Sequence, residues 1–118
     1  METRNIIVEN VLDFGLEVVR FCELLNERRR FVVSNQLLRS GTSVGAHVFE
    51  AQHAETKADF IHKMKIAVKE ASETLFWLLI CERSSNYPES SSLKIMVEEI
   101  IRIISKIIIT SKGGFRHC

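Results

Sequence analysis

The sequence predicts an all-α protein, an antiparallel up-down four-helix bundle, and three observations carry that reading. Apolar residues recur at three- and four-residue steps in four separate segments, the period of an amphipathic helix. One proline and five glycines punctuate 118 residues, too few for the many turns of a β-fold. The breaks between the periodic segments are short, which favours antiparallel neighbours. The length fits one domain, a bundle over residues 1–112 with a disordered tail at 113–118.

The first helix is expected over residues 6–27. Val8, Val11, Leu12, Gly15, Val18, Val19, Cys22 and Leu25 form its apolar stripe, and Phe14 and Phe21 sit beside it and widen it. Glu9, Asp13, Glu17, Arg20 and Glu23 hold the opposite face. The polar run Asn26-Glu-Arg-Arg-Arg30 breaks the pattern and reads as a turn. The second helix is expected over 33–54, with Leu37, Gly41, Val44, Val48 and Ala51 in line and Leu38, Gly45 and Gln52 alongside. Thr56 can cap the third helix, with Asp59 in its first turn. That helix runs to about residue 82 on the stripe Phe60, Met64, Ala67, Ala71, Thr74, Leu78 and Cys81. Residues 84–92 hold the lone proline and five serines and form the clearest loop. The fourth helix spans about 91–111, and Gly113-Gly114 stops it.

Leu37-Leu-Arg-Ser-Gly-Thr-Ser-Val-Gly-Ala46 is the most informative stretch. Glycine costs about 1 kcal/mol against alanine inside a helix, a cost that is tolerable where a neighbour must approach the backbone closely. Ser40, Gly41, Ser43 and Gly45 therefore read as a seam with an adjacent helix. In a hairpin centred near Thr56, residues equidistant from the turn lie side by side. Arg39 then falls near Glu73, with Glu70 within reach, Ser43 near Glu70 or Lys69, and Glu50 near Lys63. Arginine's planar fork suits a carboxylate contact across that seam.

Composition excludes several functions. A net charge of +1 gives no global field to steer nucleic acid or an anionic membrane. Three cysteines, Cys22, Cys81 and Cys118, are odd in number and widely spaced, which points to reduced thiols and a cytoplasmic protein. The N-terminal segment reads as amphipathic helix, not as a signal peptide, and the longest apolar run, 75–81, is too short to span a bilayer. Glu50-Ala-Gln-His53 is a lone Glu-x-x-His without the second motif a di-iron bundle needs, and no cofactor is expected. No acid, base and nucleophile come together, so the chain reads as non-enzymatic.

Two features point to partners. Apolar residues exceed a core-facing stripe on helix 4, on helix 1 through its phenylalanines, and on helix 3 through Phe76, Trp77, Leu79 and Ile80. Such an excess points to self-association, the alternative being a thick internal core with a few exposed apolar residues, which any surface carries. Arg28-Arg29-Arg30 is the one dense basic run. It is either a solvated turn closing an acidic helix or a phosphate-contacting cluster that an oligomer would repeat on one face.

The blocks Leu37–Ala46, Glu50-Ala-Gln52, Asp59-Phe-Ile-His-Lys63 and Lys69-Glu-Ala-Ser-Glu-Thr74 with Trp77 closely resemble the four-helix bundle proteins encoded in intervening sequences of bacterial 23S ribosomal RNA genes. That family is similar to the accessory protein of diversity-generating retroelements. The resemblance implies a homopentamer and contact with RNA or with a nucleic-acid-processing protein. This chain has His47 where the family commonly has asparagine. Its net charge of +1 is also far from the strongly basic retroelement proteins.

Overall fold

The computed structural model describes residues 2–113, with side chains from Ile6 onward. Four helices follow one another: α1 (Glu2–Glu27), α2 (Phe31–Ala51), α3 (Lys57–Arg83) and α4 (Ser91–Gly113). The tail is expected from residue 113, but Gly113 is still the last residue of α4, so the helix runs through the first glycine of the expected stop; residues 114–118, including Gly114, lie outside the described residues. Each helix packs on its sequence neighbour and α4 closes back on α1. No Cα of α1 comes within 8 Å of one of α3, nor one of α2 of α4, so these pairs are diagonals of an up-down bundle. The rod measures 54 × 22 × 21 Å.

The helix ends follow from local chemistry. Glu27 still lies in α1, so the turn is confined to residues 28–30 and α2 starts at Phe31, two residues earlier than the periodicity indicates. Arg30 N–H bonds to the Leu25 carbonyl (2.8 Å) and Arg29 N–H to that of Asn26 (2.9 Å). This is the paired closure that satisfies orphan carbonyls at a helix end, with a left-handed residue at the turn. Arg29 is that residue, at φ 60°. At the start of α3 the Thr56 hydroxyl accepts from Asp59 N–H (3.0 Å), the cap its sequence suggests. The Glu89 carboxylate accepts from the N–H groups of Ser90 (2.9 Å) and Ser91 (3.1 Å), meeting the positive end of α4.

One continuous core runs along the bundle. All seven residues of the expected α3 stripe are buried, and so is the α2 line from Leu37 to Ala51. On α1 the inward face is rotated from the expected one. Ile7, Phe14 and Phe21 are buried with Val11, Val18, Cys22 and Leu25, whereas Leu12 and Val19 are exposed. The apolar arc of α1 is wider than the core needs, and the two phenylalanines bury the larger area.

Candidate functional site

The α2–α3 seam carries a polar network. Arg39 pairs with both expected acids: Nη1 lies 3.3 Å from Glu70 Oε1, and Nη2 donates to Glu73 Oε2. The Trp77 indole N–H donates to the same Glu73 oxygen at 3.2 Å. The Arg39 bond, and then the Trp77 bond, hold the Glu73 carboxyl below the usual carboxylate range, and Glu73 holds the Arg39 guanidinium above its ordinary value. Beneath this network the hydroxyls of Ser40 and Thr74, both buried, meet at 2.9 Å. Thr74 Oγ1 also lies 2.8 Å from the Glu70 carbonyl. A hydroxyl has one proton to give, so Thr74 donates to that carbonyl and accepts from Ser40.

Ser43 does not join the seam network. Its hydroxyl donates to the Arg39 carbonyl within α2 at 2.7 Å, the usual choice of a helical serine whose neighbours are already paired. Lys63 turns to Asp59 (3.7 Å), one turn back on its own helix, and no ion pair with Glu50 forms among the described residues. His47 Nδ1 lies 2.9 Å from the Ser43 carbonyl, a bond an asparagine at that position could also make.

The two glycines face the other way, to α1. A Cβ on Gly41 would lie 2.9 and 3.0 Å from the two γ-carbons of Val18, and one on Gly45 would lie 3.5 Å from the Val11 carbonyl oxygen. The expected single strip is therefore two seams. Arg39 and Ser40 serve α3, while Gly41 and Gly45 serve α1. A stretch of helix bracketed by two neighbours presents successive residues to each in turn. Near one end the α1–α2 seam closes reciprocally: Ser34 Oγ donates to the Cys22 carbonyl (3.2 Å) and Cys22 Sγ to the Ser34 carbonyl (3.4 Å).

Close approach of α1 and α2 leaves a shallow groove on their outer side. Leu12, Gly15, Leu16, Val19, Ala46 and Phe49 line it with their neighbours, enclosing about 430 Å³. Leu16 is 52% exposed, Leu12 48% and Phe49 45%. The surplus apolar surface of α1 is thus made of Ile6, three leucines and Val19, not of the phenylalanines, which are inside. On α2, Phe31, Val32, Leu38 and Phe49 are exposed; of these only Leu38 figures in the expected pattern of that helix, alongside its apolar line. Elsewhere Phe76, Ile80, Ile95 and Ile109 are exposed, while Trp77 and Leu79 are half-buried.

The three arginines of the α1–α2 turn diverge. Arg28 Nη1 donates to the Asn86 carbonyl of the α3–α4 loop at 3.1 Å. The Arg30 guanidinium lies 5.1 Å from the centroid of the Tyr87 ring, a cation–π contact that ties the same two connections together. Arg29 points outward, 6.0 Å from the Phe31 ring.

Cys22 and Cys81 are buried free thiols. Burial pushes both up, Cys81 to about 11 with Cys22 adding to it, while the Ser34 bond partly offsets the effect on Cys22. Their helices are diagonal and their Cα atoms more than 8 Å apart, beyond the span of a disulfide. Cys118 lies outside the described residues. No group of three metal-ligating side chains forms among the described residues, and no helix there is long and apolar enough to cross a membrane.

A family model described as 23S rRNA-intervening sequence protein matches residues 3–108. Among solved structures, the chain is similar to a protein of unknown function from the S23 ribosomal protein family of Bacteroides thetaiotaomicron. The two are 38% identical with a TM-score of 0.84, over 90% of this chain and 97% of that one. No curated protein matches.

Proposed function

The chain belongs to the family of 23S rRNA-intervening sequence proteins, and from that premise we propose that it is a non-enzymatic, cytoplasmic bundle whose α1–α2 groove is a subunit interface. The groove carries the reading. Its wall is almost wholly apolar, with Leu12, Leu16 and Phe49 about half exposed, and it stays open for about two helical turns between Leu12 and Val19 and their α2 partners. A water-exposed patch of that kind favours burial at about 25 cal/mol per Å². The family resemblance implies five copies. Non-enzymatic action is supported by where the reactive groups sit. Both described thiols are buried and held neutral, and the Glu70–Glu73 pair is engaged by Arg39.

Light scattering on a size-exclusion column tests this reading. The wild-type chain is expected at a multiple of its 13.6 kDa mass, and Phe49→Asp at a smaller multiple or as a single chain with unchanged helicity. A Phe49→Asp protein of wild-type mass refutes the groove as interface.

A second reading, contact with RNA or a ribonucleoprotein at the basic end, is favoured by Arg29. A non-glycine residue in the left-handed region costs roughly 1–2 kcal/mol, and Arg29 holds that position with its side chain exposed. Local rules are most often broken where function needs the residue. Anisotropy titrations with a structured RNA at rising salt test it. Binding that weakens with salt and is lost when Arg28, Arg29 and Arg30 become glutamate supports it. Absence of binding leaves the bundle a protein-interaction scaffold.

A further inference from the structure

Two exposed lanes on opposite sides of the bundle complement each other in charge. On α1, Glu9, Leu12, Leu16, Val19 and Glu23 recur at steps of three and four, so they share one face, and all five are exposed. That face is a wall of the groove, with Asp13 and Glu27 on its outer margin. On α3, His62, Lys65, Lys69, Ser72, Phe76 and Ile80 share a face in the same way, and all six are exposed. The acids of α3 are drawn off this face. Glu70 and Glu73 bend to Arg39 across the α2 seam, and Asp59 pairs with Lys63. Lys65 and Lys69 take no ion pair among the described residues. Because α1 and α3 are diagonal, the acidic–apolar lane and the basic–apolar lane face opposite ways.

Their heights along the rod also agree. Ser34 is level with Cys22, and Ser40 with Thr74, through their hydrogen bonds. α1 and α3 run in the same direction. Glu9 therefore stands at the height of Lys65, Asp13 at that of Lys69 and Glu27 at that of Arg83, each to within about one helical turn of ~5 Å.

We infer that the occupant of the α1–α2 groove is the α3 lane of a second copy: bundles lie side by side and parallel, with Phe76 and Ile80 against Leu16 and Val19, and Lys65 and Lys69 facing Glu9 and Asp13. The inference rests on the groove being a subunit interface, as proposed above, and adds which surface fills it. Charge decides against the groove meeting itself. A two-fold contact would set the acidic lane of α1 against its own copy, and like charges across an interface suppress such pairing. The contact joins two different surfaces, so it repeats from copy to copy and closes into a ring where the rotation permits.

Five chains test this: wild type, Leu16→Asp on the groove, Phe76→Asp on the α3 lane, and two charge variants. Leu16 and Phe76 are half exposed, and circular dichroism checks that helicity is retained. Each aspartate variant alone is expected as a single chain by light scattering. An equimolar mixture is expected to form a heterodimer and nothing larger, because each chain keeps one intact surface. Lys65→Glu with Lys69→Glu is expected to weaken assembly at least tenfold, and Glu9→Lys with Asp13→Lys in the same chain to restore it. A Phe76→Asp chain of wild-type mass overturns the pairing while leaving the groove an interface, and a mixture that stays monomeric overturns it too. A wild-type chain that is itself monomeric removes both readings. Loss of RNA binding by Lys65→Glu with Lys69→Glu at unchanged mass makes the lane a nucleic-acid surface and overturns the pairing.

Discussion

Replacing the two seam glycines by alanine separates close packing from helix propensity. An alanine in a helix interior gains about 1 kcal/mol over glycine. At Gly45 the added methyl meets its nearest neighbour at 3.5 Å, ordinary contact, so Gly45→Ala keeps most of that gain. At Gly41 the methyl would sit 2.9 and 3.0 Å from the two γ-carbons of Val18. Val18 is fully buried, and a β-branched side chain in a helix has one strongly preferred rotamer, so it has no room to swing away. Overpacking of this kind costs about 1–3 kcal/mol, which cancels or exceeds the propensity gain. The two variants should therefore differ by roughly 1–3 kcal/mol, with Gly45→Ala the more stable. At about 4 °C in Tm per kcal/mol for a chain of this size, thermal and urea melts resolve the difference. They are to be run where light scattering gives all chains the same mass, because assembly shifts apparent stability. Adding Val18→Ala to Gly41→Ala should cost less than Val18→Ala costs alone in the wild type, because the added methyl fills part of the space left. Equal stabilisation by Gly41→Ala and Gly45→Ala would mean that Val18 does not press on Gly41.

Other predictions concern the seam, the turn and the thiols. Glu73 is held below the usual glutamate range near ~4.3, so the stability it contributes is present above that range and is lost as pH falls through its folded value. Trp77 fluorescence should report that titration, and Arg39→Ala should move its midpoint upward; an unmoved midpoint contradicts the network. Thr74→Val should destabilise by about 1–3 kcal/mol in urea melts, since it strands the buried Ser40 hydroxyl, and Ser40→Ala should cost less. Arg29→Gly should raise stability by about 1 kcal/mol through relief of the left-handed backbone. Cys22 and Cys81 should resist a thiol reagent at pH 8 in the native protein and react at once in denaturant. Because burial raises both thiols, the stability tied to their neutral forms is present below the ordinary cysteine value and falls as pH rises toward about 11 for Cys81.

The fold was legible because a 3.6-residue period is a one-dimensional signal. The α3 stripe from Phe60 to Cys81 and the α2 line from Leu37 to Ala51 needed only their own spacing. The Arg39–Glu73 pairing was legible because a hairpin's turn sets its register, and Thr56 marks the turn. The face of α1 was not, since apolar residues cover more than half its circumference. Which flank turns inward is settled by the volume α2 and α4 leave, and Phe14 and Phe21 fill it. The same ambiguity hid the groove, whose walls are the leucines that the phenylalanines displaced. The splitting of the glycine–serine strip into two seams was hidden for a related reason. Small residues signal a close neighbour without saying which one, and only the bundle's square arrangement gives α2 two neighbours. The basic lane of α3 is masked in the sequence, because Glu70 and Glu73 interleave with its lysines and only Arg39 drawing them aside uncovers it.

Native mass spectrometry of the wild-type chain tests most directly the claim that another copy covers the α1–α2 groove. One dominant closed species is expected at an integer multiple of the chain mass, reduced to single chains by Leu16→Asp. A single-chain spectrum at every protein concentration, or an assembly that Leu16→Asp leaves intact, would contradict that claim.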